Sequence, residues 1–268
     1  VEAIESAGWQ VVMPSGHICC GRPLYDYGFL DTAERYLHHV LDTLRPEIRA
    51  GTPVVGMEPS CLAVFKDELG KLLPHDDDAQ RLARNAYHFA EFFTTFDITP
   101  PLLLGPAFEK MDALLWGHCH HRATGGIDPE RKLLEKMGVS VNPLTGGCCG
   151  LAGSWGFEKG KYDISLDCGE QALLPAVRSA DSKTVIVANG FSCKTQIEQA
   201  GTGRRALHVA QVMKLAREHG SDLSDPPEQA VGGQRPPASA ARRAARIGIP
   251  AAAAVGVTTL LTRWLTRR

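Results

Sequence analysis

A pair of adjacent cysteines followed by a glycine occurs twice in this chain, and the duplication constrains the fold more than any other feature. The two copies are Cys19-Cys20-Gly21 and Cys148-Cys149-Gly150. Each copy is followed by one more cysteine after a similar interval: Cys61 lies 41 residues after the first pair, and Cys193 lies 44 residues after the second. Six of the eight cysteines therefore belong to one repeated pattern, which predicts two related halves.

Hydrophobic periodicity places the cysteines in loops between strands and helices. Short apolar runs predict strands over 9–13, 53–57, 111–116, 139–141 and 184–188. Apolar residues at helical spacing predict helices over 2–8, 37–48, 81–96, 131–137 and 162–177. This alternation is typical of an α/β fold, here with two pseudo-repeated strand–Cys loop–helix halves and largely parallel sheets. Sites in such folds form beyond the carboxyl ends of strands, where these cysteines are expected.

The repeats divide most of the chain into two segments. Residues 1–110 hold the first repeat and a connector, and residues 111–220 hold the second repeat. The strand over 111–116 leads into a loop with Cys119 that has no counterpart in the first repeat, because the equivalent position would precede Val1. We therefore expect a natural protein that extends further towards its N-terminus.

The remaining two segments differ in composition from the repeats. Residues 221–243 are rich in proline, glycine, serine and alanine, which predicts a disordered linker. Residues 244–268 form a basic and apolar tail with sixteen consecutive uncharged residues at 247–262. This run is shorter than the roughly 20 residues that a membrane-spanning helix needs. A peripheral membrane contact through the flanking arginines and a flexible basic tail are both open interpretations.

Composition narrows the class of function. The net charge of −1 gives no sign of a nucleic-acid partner. The N-terminal residues lack the basic and apolar regions of a secretory signal, so we expect a cytoplasmic protein, and the tail leaves open a peripheral position on the inner face of the membrane. Eight cysteines in that setting are typical of metal-binding or catalytic thiols rather than of disulfides.

The second repeat offers four thiolates from three loops. They are Cys119, Cys148, Cys149 and Cys193. Four thiolates suit a [4Fe–4S] cluster or a tetrahedral zinc ion, and an adjacent pair is easier to accommodate on several irons than on one ion. We therefore predict a cluster, with zinc as the alternative. Gly147 and Gly150 are predicted to lie against it, because glycine lets the backbone approach a bulky cofactor closely.

The first repeat offers three thiolates, from Cys19, Cys20 and Cys61. These cysteines are predicted to be metal ligands if a fourth group completes the site. That group could be His17, Glu58, an upstream residue or a substrate. The alternative is a degenerate repeat that keeps only the fold, and the sequence leaves both interpretations open.

The histidines beside Cys119 and the remaining cysteine of the second repeat are assigned structural roles. His118, His120 and His121 are expected to hydrogen-bond the loop more than to bind metal. Cys168 lies on a helical stripe and is expected to be a buried structural thiol.

Two acidic residues and one glycine-rich segment also bear on the chemistry. Glu58 and Asp26 could serve as acid/base groups, but they are expected to cap helices or to face solvent, and no residue is assigned a catalytic role. No fingerprint for FAD, NAD or ATP is visible, since residues 146–153 lack the G-x-G-x-x-G order.

Five segments carry a resemblance to a known family. They are Cys-Cys-Gly-Arg-Pro-Leu-Tyr-Asp at 19–26, Glu-Pro-Ser-Cys at 58–61, Gly-His-Cys-His at 117–120, Cys-Cys-Gly-Leu-Ala-Gly-Ser at 148–154 and Gly-Phe-Ser-Cys-Lys-Thr-Gln-Ile at 190–197. In them the chain resembles the CCG-domain (cysteine-rich domain) iron–sulfur oxidoreductases. It is most similar to the C-terminal parts of fused FAD- and iron–sulfur-containing D-2-hydroxyacid dehydrogenases, of the D-lactate, D-2-hydroxyglutarate or glycolate kind.

The resemblance implies a cofactor and a partner. It implies that the four cysteines of the second repeat are cluster ligands, and that an FAD-binding domain and a ferredoxin-like segment lie upstream or on a partner. One departure concerns the five-cysteine pattern of heterodisulfide reductase, which ends in Cys-x-x-Cys. Glu58 and Gly190 stand where the first of those cysteines would be. An ordinary [4Fe–4S] cluster in the second repeat is therefore expected rather than a non-cubane cluster.

We predict an oxidoreductase: the iron–sulfur electron-transfer module of a flavin-linked 2-hydroxyacid dehydrogenase. The substrate would be oxidised at FAD, and electrons would pass through the cluster to a quinone, a cytochrome or another acceptor. Two alternatives stay open. One is thiol–disulfide redox catalysis at the cysteine loops, as in heterodisulfide reductase, and the other is a zinc-stabilised scaffold without a catalytic role.

Overall fold

Helices alternate with short parallel strands along the chain. The computed structural model describes residues 1–99, 111–220, 223 and 225–231. The first half contains α1 (Glu2–Glu5), α2 (Arg22–Asp26), α3 (Leu30–Ala50), β1 (Val54–Gly56), α4 (Pro59–Ala63), α5 (Leu69–Leu72), α6 (Asp77–Asn85), β2 (Ala86–His88) and α7 (Phe89–Thr95). The second half contains β3 (Met111–Trp116), α8 (Cys119–Thr124), α9 (Asp128–Lys136), β4 (Val139–Leu144), α10 (Tyr162–Glu170), α11 (Leu173–Ser179), β5 (Val185–Ala188), α12 (Phe191–Gln199) and α13 (Val209–His219).

The two sheets are both parallel but differ in size. β1 and β2 pair in the first half, with Val54 opposite Ala86. The second half has the strand order β4-β3-β5, so that β3 is central. Each second-half strand is joined to the next by one or more helices, which is the connection that parallel strands require. The predicted α/β class with parallel sheets and two repeated halves is confirmed.

The longest helix, α3, shows how the sequence pattern sets local structure. Its apolar positions recur every three or four residues and form one buried face. The large buried side chains of this face are Leu37, Val40, Leu41, Leu44 and Ile48. Gly51 ends the helix in a left-handed conformation, with φ at 74°, which glycine adopts at low cost. The helix predicted over 37–48 is confirmed and begins earlier, at Leu30.

The repeat extends beyond the cysteines to a pair of helix caps. β2 ends at His88, which is the N-cap of α7, and Leu207 bridges to β5 directly before His208, the N-cap of α13. The third residue of each helix, Glu91 or Gln211, accepts a hydrogen bond from the backbone N–H of the capping histidine. Residues 87–91 read Tyr-His-Phe-Ala-Glu and residues 207–211 read Leu-His-Val-Ala-Gln, a similarity that could have revealed this part of the repeat.

Three predicted elements differ from the structure. Residues 9–13 form no strand, and the Trp9 ring packs against the rings of Phe92 and Phe96 instead. The single helix predicted over 81–96 is interrupted by β2, because residues 86–88 pair with β1. The helix predicted over 162–177 is two helices, α10 and α11, separated by a break at 171–172.

Within the described residues, no helix is long and apolar enough to cross a membrane. The predicted basic and apolar tail at 244–268 and most of the predicted linker at 221–243 lie outside the described residues.

Candidate metal centre

Three neighbouring loops of the second half bring four cysteines together. Cys119 is the first residue of α8, directly after β3, and Cys193 is the third residue of α12, after β5. Cys148 and Cys149 follow β4. Because the three strands are parallel and adjacent, their carboxyl ends meet at one edge of the sheet. The parallel sheet therefore gathers the four residues that the sequence predicted to act together.

The four thiols contact one another in a chain. Cys148 interacts with the thiols of Cys119 and Cys149, and Cys149 also interacts with Cys193. These contacts lower the pKa of Cys148 and raise the pKa of Cys119 and of Cys149. Cys149 and Cys193 are buried, whereas Cys119 and Cys148 are partly exposed. The four thiols therefore form one connected group of potential sulfur ligands.

The loop of the second Cys-Cys-Gly segment also donates hydrogen bonds towards the set. The backbone N–H of Gly150 donates to Sγ of Cys148 at 3.3 Å. The N–H of Gly153 donates to Oγ of Ser192 at 3.1 Å, which fastens the loop to the first turn of α12. Hydrogen bonds to a charged sulfur stabilise the thiolate form.

Close packing against α10 explains two glycines near the thiols. Gly150 has φ at 95°, and a Cβ at this position would overlap the carbonyl oxygen of Ser165. A Cβ at Gly169 would lie 3.0 Å from the carbonyl oxygen of Cys149. The small residues of α10, Ser165 and Gly169, thus pack directly against the backbone of the cysteine loop. Gly147 differs, because a Cβ there would meet no protein atom within 4 Å, and its contact with a cofactor stays a prediction.

Cys168 is not the buried thiol that was predicted. It is partly exposed and lies beside Gly150, while Ile164 on the same helix is 52% exposed. The prediction is wrong because α10 buries its small residues, Ser165 and Gly169, against the loop rather than an apolar stripe.

Arg122 clamps α8 to the loop that precedes Cys148. Its guanidinium donates to the carbonyl oxygen of Gly146 and, at 3.1 Å, to that of Leu144. The guanidinium carbon also lies 5.0 Å from the ring centroid of Trp116. This residue therefore joins two of the three cysteine-bearing loops, a role that sequence reasoning did not assign.

The three cysteines of the first half also lie together. The Sγ atoms of Cys20 and Cys61 are 3.0 Å apart. Their hydrogen bond lowers the pKa of Cys20 to about 7 and raises the pKa of Cys61. Cys19 lies close enough to act electrostatically on Cys61. Cys61 is the third residue of α4, as Cys193 is the third residue of α12.

A buried ion pair lies beside the cysteines of the first half, which we call the first set (Cys19, Cys20 and Cys61). Arg22 is 7% exposed and forms ion pairs with Glu68 at 2.5 Å and with Asp26 at 3.0 Å. Its Nε donates to the carbonyl oxygen of Ser60 at 3.3 Å. Asp26 is exposed, as one of its two expected roles requires, and it pairs with Arg22 rather than capping a helix. Sequence reasoning missed Arg22 and Glu68, although an arginine directly after Cys-Cys-Gly is a signal that could have drawn attention to the first.

The two cysteine sets are neighbours, because α4 packs against α8. Oε1 of Glu58 accepts hydrogen bonds from the N–H and the hydroxyl of Ser60, at 3.2 and 2.8 Å, which confirms the expected capping role. Oε2 accepts from the N–H of Phe191 at 2.8 Å, across the two halves. The hydroxyl of Tyr27 adds a second bond between the halves, to the carboxylate of Glu158.

Of the three histidines beside Cys119, His118 supports the loop through its side chain. Nδ1 of His118 accepts from the N–H of His120 at 3.2 Å, which confirms the expected loop hydrogen bond. The imidazole of His118 packs on Gly190, where a Cβ would overlap Cδ2. One ligand atom from each of His118, Cys119 and His120 lies within 4.8 Å of the others. Coordination by a histidine is therefore sterically open.

The side chain of His121, in α8, belongs to a buried cluster of polar residues. Nε2 of His121 is 3.4 Å from Oε2 of Glu130, and Nδ2 of Asn189 donates to Oε1 at 3.3 Å. His88 stacks on His121 with ring centroids 3.8 Å apart. Burial raises the pKa of Glu130 to about 8 and lowers the pKa of both histidines to about 3. Burial thus favours a protonated carboxyl group and neutral imidazoles, which is the cheaper state in a dry interior.

Comparison with known proteins identifies relatives of this sequence. The model of the cysteine-rich domain family, CCG, matches residues 1–66 and 119–198, which is more than half of the chain. The matched ranges contain all seven cysteines of the two sets. Lactate utilization protein A of Anoxybacillus flavithermus is 27% identical over 226 residues. The proteins of the same name in Bacillus licheniformis and Bacillus subtilis are 26% and 24% identical over 230 residues. Each alignment covers 80% of this chain and 90% of the relative.

Proposed function

The chain belongs to the cysteine-rich domain (CCG) family, and we propose that its second half holds an iron–sulfur cluster for electron transfer in the oxidation of lactate or a related 2-hydroxyacid. The observation that carries the proposal is the meeting of four thiols from three adjacent loops. The relatives are named for lactate utilization, which supports the substrate class.

The donor set fits a [4Fe–4S] cluster better than it fits zinc. All four donors are sulfur, two of them come from adjacent residues, and a backbone N–H already points at one sulfur. When bound, such a cluster takes up and releases one electron. Zinc has no redox chemistry, so a zinc site would leave the protein as a scaffold.

In this proposal the protein contributes ligation, burial and hydrogen bonding. Cys119, Cys148, Cys149 and Cys193 are the ligands. Burial of Cys149 and Cys193 keeps water from one side, while the exposed fraction of the other two thiols offers a short path for electrons. The N–H of Gly150 stabilises negative charge on sulfur, which raises the reduction potential.

We further propose the first set, Cys19, Cys20 and Cys61, as a second metal site. The sulfurs of Cys20 and Cys61 are 3.0 Å apart, Cys19 acts electrostatically on Cys61, and the Arg22 guanidinium favours the thiolate of Cys20. Both carboxylate oxygens of Glu58 already accept hydrogen bonds, so another group is the better fourth ligand. A second candidate function, thiol–disulfide exchange between Cys20 and Cys61, is favoured by their 3.0 Å separation.

The finer part of the proposal concerns the electron donor and acceptor. We propose that FAD on an upstream or partner domain supplies the electrons, and that a quinone or a cytochrome accepts them. The resemblance to fused hydroxyacid dehydrogenases supports this order. A peripheral membrane contact of residues 244–268 would bring the module near a quinone.

Iron and acid-labile sulfide per chain, measured on anaerobically purified protein together with an EPR spectrum after dithionite, test the proposal. About four of each per chain, with a reduced-cluster signal, are expected for one [4Fe–4S] cluster. Iron well above this value would show that the first set also binds metal. Stoichiometric zinc without iron, or no metal under strict anaerobiosis, would refute electron transfer by the second set. A disulfide between Cys20 and Cys61 after mild oxidation, with no iron bound there, would support the second candidate.

A further inference from the structure

The carboxylate of Glu58 lies where the two halves meet, and its contacts go beyond its own helix. Oε1 accepts hydrogen bonds from Ser60, in the helix that carries Cys61. Oε2 accepts from the N–H of Phe191 at 2.8 Å, in the helix that carries Cys193. One side chain therefore holds the first turns of both cysteine-bearing helices.

The bond to Phe191 supplies something that α12 lacks. The N-cap of α12 is Gly190, which has no side chain, and the helix makes no side-chain cap of its own. The first N–H groups of a helix need acceptors from outside the helix. Glu58 provides one of them from 133 residues away in the sequence. An N-cap that served only α4 would need no such contact.

The surroundings of Glu58 also place its charge near the second thiol set. Oε2 accepts from the N–H of Phe191, two residues before Cys193, and the charge of Glu58 also acts on Cys61 of the first set. His118 directly precedes Cys119 and packs on Gly190. A negative charge beside a redox group makes the addition of an electron less favourable.

We propose that Glu58 is a positioning residue for the second thiol set: it supplies the cap that α12 lacks and, through its charge, lowers the reduction potential of the cluster. The second part rests on the proposed function, whereas the first part concerns the protein alone. The two parts are tested by different measurements.

Amide hydrogen exchange of the full chain, resolved around 190–193, tests the capping part and does not depend on a cluster. In Glu58→Ala the exchange of the Phe191 amide is expected to rise on the order of tenfold, because a hydrogen bond to a charged acceptor is lost. The control is Glu5→Ala, at an exposed position in α1. Exchange that is unchanged in Glu58→Ala, or that rises equally in the control, would overturn the capping role.

Redox titration of the EPR signal tests the charge part. Glu58→Gln removes the charge and is expected to shift the midpoint potential upward. Glu58→Asp and Ser60→Ala keep the charge and are expected to stay closer to the wild-type potential. A Glu58→Gln potential equal to that of wild type, or an equal shift in all three variants, would overturn the electrostatic role. A wild-type protein without any cluster signal would refute the proposed function and leave the exchange result standing.

Discussion

In the second half, four thiols gather at the ends of three neighbouring strands, whereas in the described part of the first half three thiols gather beside a two-stranded sheet. The buried acids near the two sets also differ. Glu68 pairs with the charged Arg22, while Glu130 lies beside the neutral His121. The repeated cysteine pattern therefore sets where sulfur converges, and the residues around it set the charge of each site.

The largest expected effect separates the two sets by their metal content. Cys149→Ser is expected to abolish the EPR signal and most of the iron, because Cys149 contacts two of the other three thiols. Cys20→Ser is expected to leave that signal in place. Iron analysis and EPR of both variants check this, and a signal that survives in Cys149→Ser but not in Cys20→Ser would reverse the assignment.

The next effect compares the glycines that follow each cysteine pair. Both have positive φ, so alanine at either position is expected to cost about 1–2 kcal/mol in conformational strain. At Gly150 the new Cβ would also overlap the backbone of Ser165, which adds roughly 1–3 kcal/mol. At Gly21 the nearest atom would be a comfortable 3.5 Å away. Anaerobic urea unfolding of both variants measures the difference, and equal losses would contradict it.

The third expected effect is a pH dependence of the free energy of unfolding that comes from Glu130, the buried acid of the second half. Burial raises the pKa of Glu130 from 4.5 to about 8, so between these values the folded protein holds a proton that the unfolded chain has released. Stability from this group therefore falls as the pH rises, by at most about 1.4 kcal/mol per unit. The buried His88 and His121 have lowered pKa values, so they affect stability only below pH 6.5. There the stability they contribute rises with pH, opposite to that of Glu130.

Between pH 6.5 and 8 the thiols of lowered pKa, Cys20 and Cys148, also change the stability, so the contribution of Glu130 is isolated by comparison with a variant. Glu130→Gln is expected to remove that part of the decline, which appears as the difference in free energy of unfolding between variant and wild type. A difference that does not change with pH across the window would show that the carboxyl group is already ionised at pH 6.5.

The smallest effect is expected when the two equivalent cap residues, Glu91 in the first half and Gln211 in the second, are exchanged. Lys66 forms an ion pair with Glu91 at 2.7 Å, and Lys194 donates to Gln211 at 2.9 Å in the matching place. Glu91→Gln is expected to destabilise the protein, and Gln211→Glu to stabilise it, each by less than about 1 kcal/mol. Thermal unfolding at low and high salt checks both. Shifts of the same sign in the two variants would show that the caps are not equivalent.

The local sequence pattern correctly predicted those helices and strands whose conformation depends mainly on residues nearby in the sequence. β3 matches its predicted range of 111–116, and α3 follows its apolar spacing. The errors concern pairing at long range. Residues 86–88 become a strand because β1 lies beside them, and residues 9–13 do not because they pair with no strand in the described part of the chain. Strand formation depends on a partner that a local pattern does not show.

The thiol sets were predictable for a related reason, whereas their surroundings were not. Cysteines placed directly after parallel strands must approach each other, so Cys119, Cys148 and Cys193 could be grouped from the sequence. Glu130 and Asn189 have no such signal, because their role depends on burial, which only the assembled fold determines.

The contact between His118 and Gly190 also limits the order in which these two positions can be substituted during evolution. Gly190 stands where a five-cysteine pattern would place another thiol, and a Cβ there would overlap the imidazole of His118. A cysteine at this position is therefore disfavoured until His118 has first been replaced by a smaller residue. Replacing the histidine first leaves an available route, so the two substitutions are expected to be historically ordered rather than interchangeable.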